Sequence, residues 1–383
     1  MKILVYNWKA FSNRFIKKNF EELNHDVSIW EDAELKDAVD EAVYRLYEHI
    51  KNQYDLVFSF NYFRGVALAC LNAGIPYAAW TQDAPLLSLF DETVLLENNY
   101  VFCFDSEQYY GLKNRGKRNV FYLPLGVDTD YLCNITRKSN ADKRFCSDIS
   151  FVGSLYNDKS MLGDIKSQLS QYVQGYLDAF MNVQLIIPEM RFSQAEIDER
   201  CMSVLKSSLN FEGDEYVGIS FEELMENLVD RHVTVLEREA MLRICRDFEG
   251  FKLYTNSTHI PVNGIYNAGT VDYYTEMPLV FNNSKINLNP TLRSIHCGIP
   301  LRVLDVIASG GFVLTNEQPD LWEYFEKDVS VATYYNMCEL EEKIDYYLDH
   351  AEERKKVIKN GMEIVKERFD YKVLIARMLD CIK

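Results

Sequence analysis

The sequence predicts an α/β protein of two Rossmann-like domains facing a cleft, with a helical insert in the second, and three observations lead there. Short apolar runs alternate with helix-length segments from Lys2 to Leu123. The alternation stops at a polar run, Thr136-Arg-Lys-Ser-Asn-Ala-Asp-Lys-Arg144, and a new strand begins in Asp148-Ile-Ser-Phe-Val-Gly-Ser-Leu155. A chain of 383 residues also exceeds the roughly 250–300 residues at which a single core stops growing.

Taken in order, Lys2–Tyr6 is an apolar run, followed by a helix over 13–23 and a second strand at Asp26–Trp30. An amphipathic helix over 35–52 leads into Leu56–Phe60, and a helix over 66–72 leads into Tyr77–Trp80. Tyr100–Phe104 and Asn119–Leu123 bring the series to about six strands, and repeated βαβ alternation makes a parallel sheet covered on both faces. Ligands then belong beyond the carboxyl ends of the strands. The composition shift places a linker near 136–146, between a first domain over 1–140 and a second over 146–365. Residues 160–247, poor in glycine and rich in Glu, Leu, Met and Arg, read as the helical insert. Alternation resumes at Gly250–Tyr254 and continues through Ile286–Leu288, Phe312–Leu314 and Val329–Val331, before two closing helices over about 339–367 and 371–382.

The stretch Gly298–Asn316 concentrates the functional signal. Gly298 and Pro300 punctuate a turn, Leu301–Ala308 is a short helix, Gly310-Gly311 ends it in a left-handed cap, and Phe312–Leu314 is a buried strand. Backbone N–H groups at such a helix start are unpaired and partly positive, so a diphosphate can sit against residues 298–302. Asp305 lies one turn deeper, at a reach suited to ribose hydroxyls. The segment reads equally as an ordinary αβ unit with Asp305 a solvated carboxylate.

Composition excludes several classes. The net charge of −17 is spread along the chain, which argues against nucleic acid as the main partner and against a polybasic membrane anchor. The nine cysteines are odd in number and contain no CxxC pair, so they read as reduced thiols of a cytosolic protein rather than a zinc or disulfide framework. No segment approaches the roughly 20 apolar residues that span a bilayer, and the N-terminus runs into a strand without a signal-peptide pattern. A cytoplasmic location with no integral membrane segment is expected.

The segment Tyr122-Leu-Pro-Leu-Gly-Val-Asp128 resembles the P-x-G-V-D turn that closes the first domain of family 4-like glycosyltransferases of the GT-B fold. Gly269-Thr-Val271, Met277–Phe281, Ser284–Leu288 and the 298–315 segment follow in the order and spacing of that superfamily's donor domain. More closely, Val57–Phe63, Trp80–Pro85, Lys285–Asn289 and Gly298–Arg302 resemble the CgeB-like family, spore-protein-related bacterial glycosyltransferases. The resemblance covers nearly the whole chain outside 160–247. It implies a second domain that binds a nucleotide sugar, expected to be a UDP-sugar, and a first domain that presents the acceptor. It also implies transfer without a metal or other cofactor, and a final helix over 366–383 that crosses back to the first domain. Two departures stand out. Many family 4 enzymes carry two glutamates eight positions apart, one touching the sugar and one the ribose; here Asp305 occupies the second position and Cys297, beside His296, the first. The resemblance thus implies a retained ribose contact and a replaced sugar contact. Those enzymes also tend to place Arg and Lys after the first strand of the donor domain; Gly153-Ser154 lacks the Arg, while Lys159 falls at the Lys position.

Glycosyl transfer requires the leaving nucleoside diphosphate to be stabilised by fixed positive charge and backbone dipoles. Arg302, at the helix start, is the first candidate because its fork makes bidentate phosphate contacts, with Lys159 and Lys285 next. Each reads also as a surface or structural ion pair. The expected donor site comprises Gly153, Ser154, Lys159, Tyr254, Asn256, Lys285, Asn289, His296, Cys297, Gly298, Ile299, Pro300, Leu301, Arg302 and Asp305, with Tyr254 and Asn256 near the nucleotide base. Asp83, after the strand Tyr77–Trp80, is the candidate base for an acceptor hydroxyl, and reads equally as a turn or cap residue before Ala84-Pro85. In a retaining enzyme no such base is needed in the same way. Asn7, Trp8 and Lys9 follow one strand and Asn61 and Tyr62 another, where they suit acceptor-sugar recognition; Trp8 and Tyr62 read equally as packing residues. His296 and Cys297 are not read as a catalytic pair, because neighbours in an extended loop point in opposite directions.

The expected activity is hexosyl transfer from a nucleotide sugar to a protein or glycan acceptor. The rival is a structural or carbohydrate-binding protein of a spore or cell surface that kept the fold and lost catalysis, favoured by the two departures and opposed by Gly298, Arg302 and Asp305. A GT-B epimerase or phosphorylase is a third reading, without recognisable phosphate or pyridoxal-phosphate features behind it.

Overall fold

The computed structural model describes residues 1–8, 10, 12–138, 142–158, 161–192, 197–208 and 219–382. Strands β1 (Lys2–Tyr6), β2 (Asp26–Trp30), β3 (Leu56–Phe60), β4 (Tyr77–Trp80), β5 (Asn99–Cys103) and β6 (Val120–Tyr122) form a parallel sheet in the order β2-β1-β3-β4-β5-β6. Strands β7 (Ser147–Val152), β8 (Phe251–Tyr254), β9 (Ser284–Asn289), β10 (Val313–Asn316) and β11 (Ala332–Tyr334) form a second, in the order β11-β10-β9-β7-β8. Both are doubly wound. Chain direction along the sheet reverses between β1 and β3 and again between β7 and β9, and at such switch points the loops leaving the carboxyl ends splay apart into a crevice.

Helices α1 (Asn13–Glu22), α2 (Asp40–Ile50), α3 (Arg64–Ala73), α4 (Ser106–Asn114) and α5 (Thr129–Lys138) belong to the first half. On one face of its sheet Leu46, Ile50, Val66 and Ala69 of α2 and α3 meet Leu4, Val57 and Tyr77. In the second half α6 (Met161–Lys166), α7 (Gln171–Ile186), α8 (Glu199–Ser208) and α9 (Phe221–Cys245) follow β7, and α10 (Met277–Asn283), α11 (Leu301–Ala308), α12 (Met337–Asp349) and α13 (Ala351–Arg368) flank the sheet. The last helix, α14 (Tyr371–Cys381), lies with α1 on the other face of the first sheet, where Phe15, Phe20, Leu374 and Met378 cover Ile3, Val5, Phe58 and Trp80. Ile3, Leu4 and Val5 point alternately to the two faces and are all fully buried, which is why the strands read as unbroken apolar runs.

The Pro-Leu-Gly-Val-Asp turn is a junction of three helices. Asp128 caps α5 by accepting the Tyr131 N–H at 2.9 Å and holds α1 through Lys18 Nζ at 2.7 Å. Val127 pairs with the chain entering α14, donating to the Phe369 carbonyl at 2.9 Å and accepting from Tyr371 N at 3.0 Å.

On the second sheet, Met241, Leu242 and Cys245 of α9 and Leu340 and Ile344 of α12 cover Ile149, Phe151, Leu253 and Ile286. Val280, Val303, Leu304 and Val365 cover the opposite face at Val152 and Val313. The insert has its own core around Leu177, Met181, Phe192, Met225 and Val229. Helix α9 opens with a capping box, Ser220 and Glu223 each accepting the other's N–H at 3.1 and 2.8 Å, and its 25 residues connect the insert core to the sheet.

Three expected elements differ. The helix of 35–52 begins only at Asp40, because Asp32 caps a 3₁₀ turn at Ala33–Leu35 and Ala38 breaks the path at φ +51°. The strand expected at Val329–Val331 is Ala332–Tyr334; Asp328, at φ +58°, closes a turn by donating to the Val331 carbonyl at 2.7 Å. The helix of 339–367 is two, α12 and α13, interrupted at His350 with φ −104° and ψ 65°. All nine cysteines are free thiols. Among the described residues no helix is long and apolar enough to cross a membrane.

Candidate functional site

A cleft of about 710 Å³ lies between the carboxyl end of the first sheet and the start of α11. Trp8, Ser12, Asn61, Gln82 and Asp83 line it from one side, and Val271–Tyr274, Met277, Leu301, Arg302 and Asp305 from the other. Trp8 follows β1 and Asn61 follows β3, so the cleft sits on the first sheet's switch point. Asn61 adopts φ +59° and folds its amide over the next loop: Oδ1 accepts from Gln82 N and Nδ2 donates to Asp83 Oδ2, both at 2.7 Å. Asp83 is thereby held in place while staying exposed to the cleft.

Arg302 stands in the first turn of α11. Its guanidinium contacts the Met277 sulfur, lies 5.2 Å from the Phe281 ring centre and comes within 3.5 Å of the Asp305 carboxylate. Asp305 is only 5% exposed, which corrects the reading of it as a solvated carboxylate. Burial pushes its carboxyl up to about 6, with Arg302 and the Tyr273 hydroxyl, 3.2 Å from Oδ1, pulling the other way. A desolvated carboxylate with one phenol donor keeps acceptor positions for further hydroxyls.

The amides expected to await a phosphate are partly taken. Asp105, from the first half, accepts the N–H of Cys297 at 3.0 Å and of Gly298 at 2.8 Å. Gly298 is required there, since a Cβ would stand 2.8 Å from the Phe104 ring and 3.1 Å from Asp105 Cα. Asp320 reciprocates by accepting Ser106 N at 3.0 Å and Ser106 Oγ at 2.6 Å. The two halves are clasped at this point, and of the expected phosphate segment 298–302 it is Leu301 and Arg302 that line the cleft.

Other expected site residues go elsewhere. Tyr62 is a core residue, 1% exposed, with its hydroxyl 2.8 Å from Thr93 Oγ1. Asn7 binds Glu31 and Asn13 instead of lining the cleft. Lys285, the second residue of β9, lies at the amino edge of the sheet, paired with Asp148 at 2.7 Å and remote from the carboxyl ends. Asn289 is buried between the Thr291 and Thr315 hydroxyls, each at 3.0 Å. The Tyr254 hydroxyl donates to the Arg144 carbonyl at 2.8 Å, and Asn256 is exposed beyond β8. Ile299 and Pro300 are buried at the base of α11. Lys9 and Lys159 lie outside the described residues.

Gly153 and Ser154 follow β7 at the second sheet's switch point, but Arg238 of α9 fills that crevice. Its guanidinium donates to the Ser154 carbonyl and, at 3.0 Å, to the Pro290 carbonyl, and stacks 4.8 Å from the Tyr156 ring centre. His296 also faces the insert: Nε2 lies 2.9 Å from Asp230 and Nδ1 3.2 Å from Glu107. Burial lowers its basicity, yet the two carboxylates outweigh that and raise it to about 10. Burial pushes the neighbouring Cys297 thiol up to about 11, so it is no thiolate nucleophile. Sequence reasoning missed Asp105, Asp230, Arg238, Gln82 and Tyr273. Of these Tyr273 had a signal, two residues beyond the Gly269-Thr-Val271 motif, and so did Gln82, which lies inside the Trp80–Pro85 segment.

Residues 236–380 match a family model described as glycosyl transferase-like. No curated protein matches the sequence. Among solved structures the chain is similar to sucrose-phosphate synthase from Thermosynechococcus elongatus, at a TM-score of 0.57 and 9% identity over 99% of this chain and 98% of that one. It is similar to a glycosyltransferase from Rickettsia africae ESF-5, at 0.55 and 11% over 100% and 97%. It is also similar to Anabaena HepE in complex with UDP and glucose, at 0.52 and 11% over 99% of both chains. The fold is therefore the GT-B arrangement of two parallel-sheet domains. The glycosyl transferase-like segment contains α11 and the 271–277 wall of the cleft.

Proposed function

We propose that the protein is a GT-B glycosyltransferase that moves a hexose from a UDP-sugar to a protein or glycan acceptor, acting in the cytoplasm. The observation that carries this is the joint lining of one cleft by Arg302 and Asp305 on one side and by Asp83, Asn61 and Trp8 on the other. In this reading Asp305 accepts hydrogen bonds from the ribose, and the diphosphate lies against Arg302 and the first-turn amides of α11. The sugar then points across to Asp83. As the acceptor oxygen bonds to the anomeric carbon, the bond to the diphosphate breaks and its electron pair leaves on UDP. Arg302 and the helix start offset that developing charge. In an inverting reaction Asp83 takes the acceptor's hydroxyl proton.

The charge comes from the chain itself, so the reading calls for no metal at the reacting atoms. UDP as the nucleotide draws support from the UDP and glucose named for the HepE complex, and the CgeB-like affinity from the 57–63, 80–85, 285–289 and 298–302 segments. A second reading, a nucleotide- or carbohydrate-binding protein without turnover, is favoured by Cys297 at the sugar-contact position and by Arg238 closing the β7–β9 crevice.

The test is release of nucleoside diphosphate from a panel of UDP-, GDP- and ADP-sugars, with Arg302→Ala and Asp83→Asn alongside. Turnover of one donor, lowered about 100-fold or more by Arg302→Ala, supports the transferase. Binding without turnover supports the second reading, and no nucleotide binding overturns the transferase and leaves only the carbohydrate-binding form of the second.

A further inference from the structure

We propose that Glu226, Asp230 and His296 form a binding site for a divalent transition-metal ion of the zinc class, which ties the helical insert to the loop leading into α11. Glu226 and Asp230 are four residues apart on α9, so their carboxylates share one face of the helix. His296 reaches them from the loop between β9 and α11, and one donor atom from each residue lies within 4.8 Å of the other two. The His296 Nε2 to Asp230 separation is 2.9 Å. A tetrahedral ion with bonds of about 2.1 Å sets its donors about 3.4 Å apart, inside the range these distances bracket.

Two further features fit a bound ion. Glu107 Oε2 lies 3.2 Å from His296 Nδ1, which turns Nε2 toward the two carboxylates. An outer carboxylate on the far ring nitrogen is how metal-binding imidazoles are oriented. A cavity of about 360 Å³ is lined by all three residues, giving the ion an entry path and room for water to complete its coordination. The charge balance also suits a dication. Glu107, Glu226 and Asp230 converge on one imidazole, and the nearby cation Arg191 is paired with Glu107 at 2.5 Å. One imidazole nitrogen with two carboxylate oxygens suits Zn²⁺ or Mn²⁺ better than Ca²⁺, which takes oxygen alone, or Cu⁺, which takes sulfur. On binding, the ion replaces the hydrogen between His296 and Asp230, which leaves to solvent as a proton.

None of the three residues lines the cleft of Arg302 and Asp305, so the ion acts on the fold rather than on the transferred sugar. It cross-links α9 to the loop that carries Cys297 and Gly298, and does not depend on the transferase reading.

The test uses the full chain, stripped with a chelator and dialysed. It is titrated with Zn²⁺ by calorimetry, with metal content measured after gel filtration and with Co²⁺ absorption reporting the coordination. About one Zn²⁺ per chain is expected, with affinity at least tenfold weaker in Asp230→Asn, His296→Gln and Glu226→Gln, and about 10–100-fold weaker in Glu107→Gln. Zn²⁺ raises Tm by several degrees in the unsubstituted chain and not in the ligand variants. Cys297→Ser and Cys338→Ser bind like the unsubstituted chain. Should Asp230 or His296 variants fail to fold, Glu226→Gln carries the test, since it leaves the Asp230–His296 pair in place. Substoichiometric binding, unchanged affinity in Glu226→Gln, or loss of binding on cysteine substitution overturns the proposal.

Discussion

Replacing Asp105 with alanine should loosen the clasp between the two halves, and the cost can be worked from its contacts. Asp105 is 1% exposed. Its Oδ1 caps α4 by accepting Glu107 N at 2.9 Å and Gln108 N at 3.3 Å, while Oδ2 accepts Cys297 N and Gly298 N at 3.0 and 2.8 Å. Losing the cap costs about 1 kcal/mol. Leaving two buried N–H groups without an acceptor costs about 1–3 kcal/mol each, partly relieved if water enters. The expected loss is about 3–5 kcal/mol. Asp105→Asn keeps the shape but has one acceptor oxygen, so its NH₂ opposes one of the two donor pairs and the loss is about half as large. Urea unfolding followed by both circular dichroism and tryptophan fluorescence measures the difference, and hydrogen exchange locates it, because the Cys297 and Gly298 amides should lose protection in Asp105→Ala. A loss below about 1 kcal/mol with those amides still protected would refute the clasp as a stabilising contact.

Three further outcomes are expected. Asp305 titrates at about 6 when folded and, by the usual aspartate value, at about 3.9 when unfolded, so between these values the native state binds more protons and stability falls as pH rises from about 4 to 6. The fall is about 3 kcal/mol, and the difference between urea midpoints at pH 4 and pH 7 should shrink accordingly in Asp305→Asn. Gly126→Ala places a Cβ 2.9 Å from the Tyr371 ring and 3.0 Å from Leu374, which should cost about 1–3 kcal/mol and expose α14 to limited proteolysis. Lys285→Ala and Tyr62→Phe should leave UDP binding unchanged, since both side chains lie away from the cleft, and the exposed Lys285–Asp148 pair should contribute less than about 1 kcal/mol. A tenfold loss of UDP affinity in either variant would contradict that placement.

Both sheets were legible because strands buried on two faces leave continuous apolar runs, such as Ile3–Tyr6 and Phe312–Leu314. The breaks at Ala38 and Asp328 were not, because positive φ there falls on residues other than glycine. Of the cleft, Trp8, Asn61, Asp83, Leu301, Arg302 and Asp305 were nameable as loop or helix-start residues at carboxyl ends. Tyr62 was misplaced because Asn61 turns through the left-handed region and sends the next side chain into the core. Lys285 was misplaced because its position early in a parallel strand puts it at the amino edge. The partners of His296 come from α4 and α9, and the plug at Ser154 from Arg238, each contact spanning from 66 to 189 residues or 84 residues. Local pattern carries no trace of such pairings.

A UDP site at Arg302 is tested by calorimetric titration of UDP into the full chain and into Arg302→Ala. Saturable binding of one UDP per chain is expected, at least tenfold weaker in Arg302→Ala and weaker for uridine than for UDP. Absence of binding, or binding indifferent to Arg302, would contradict that site.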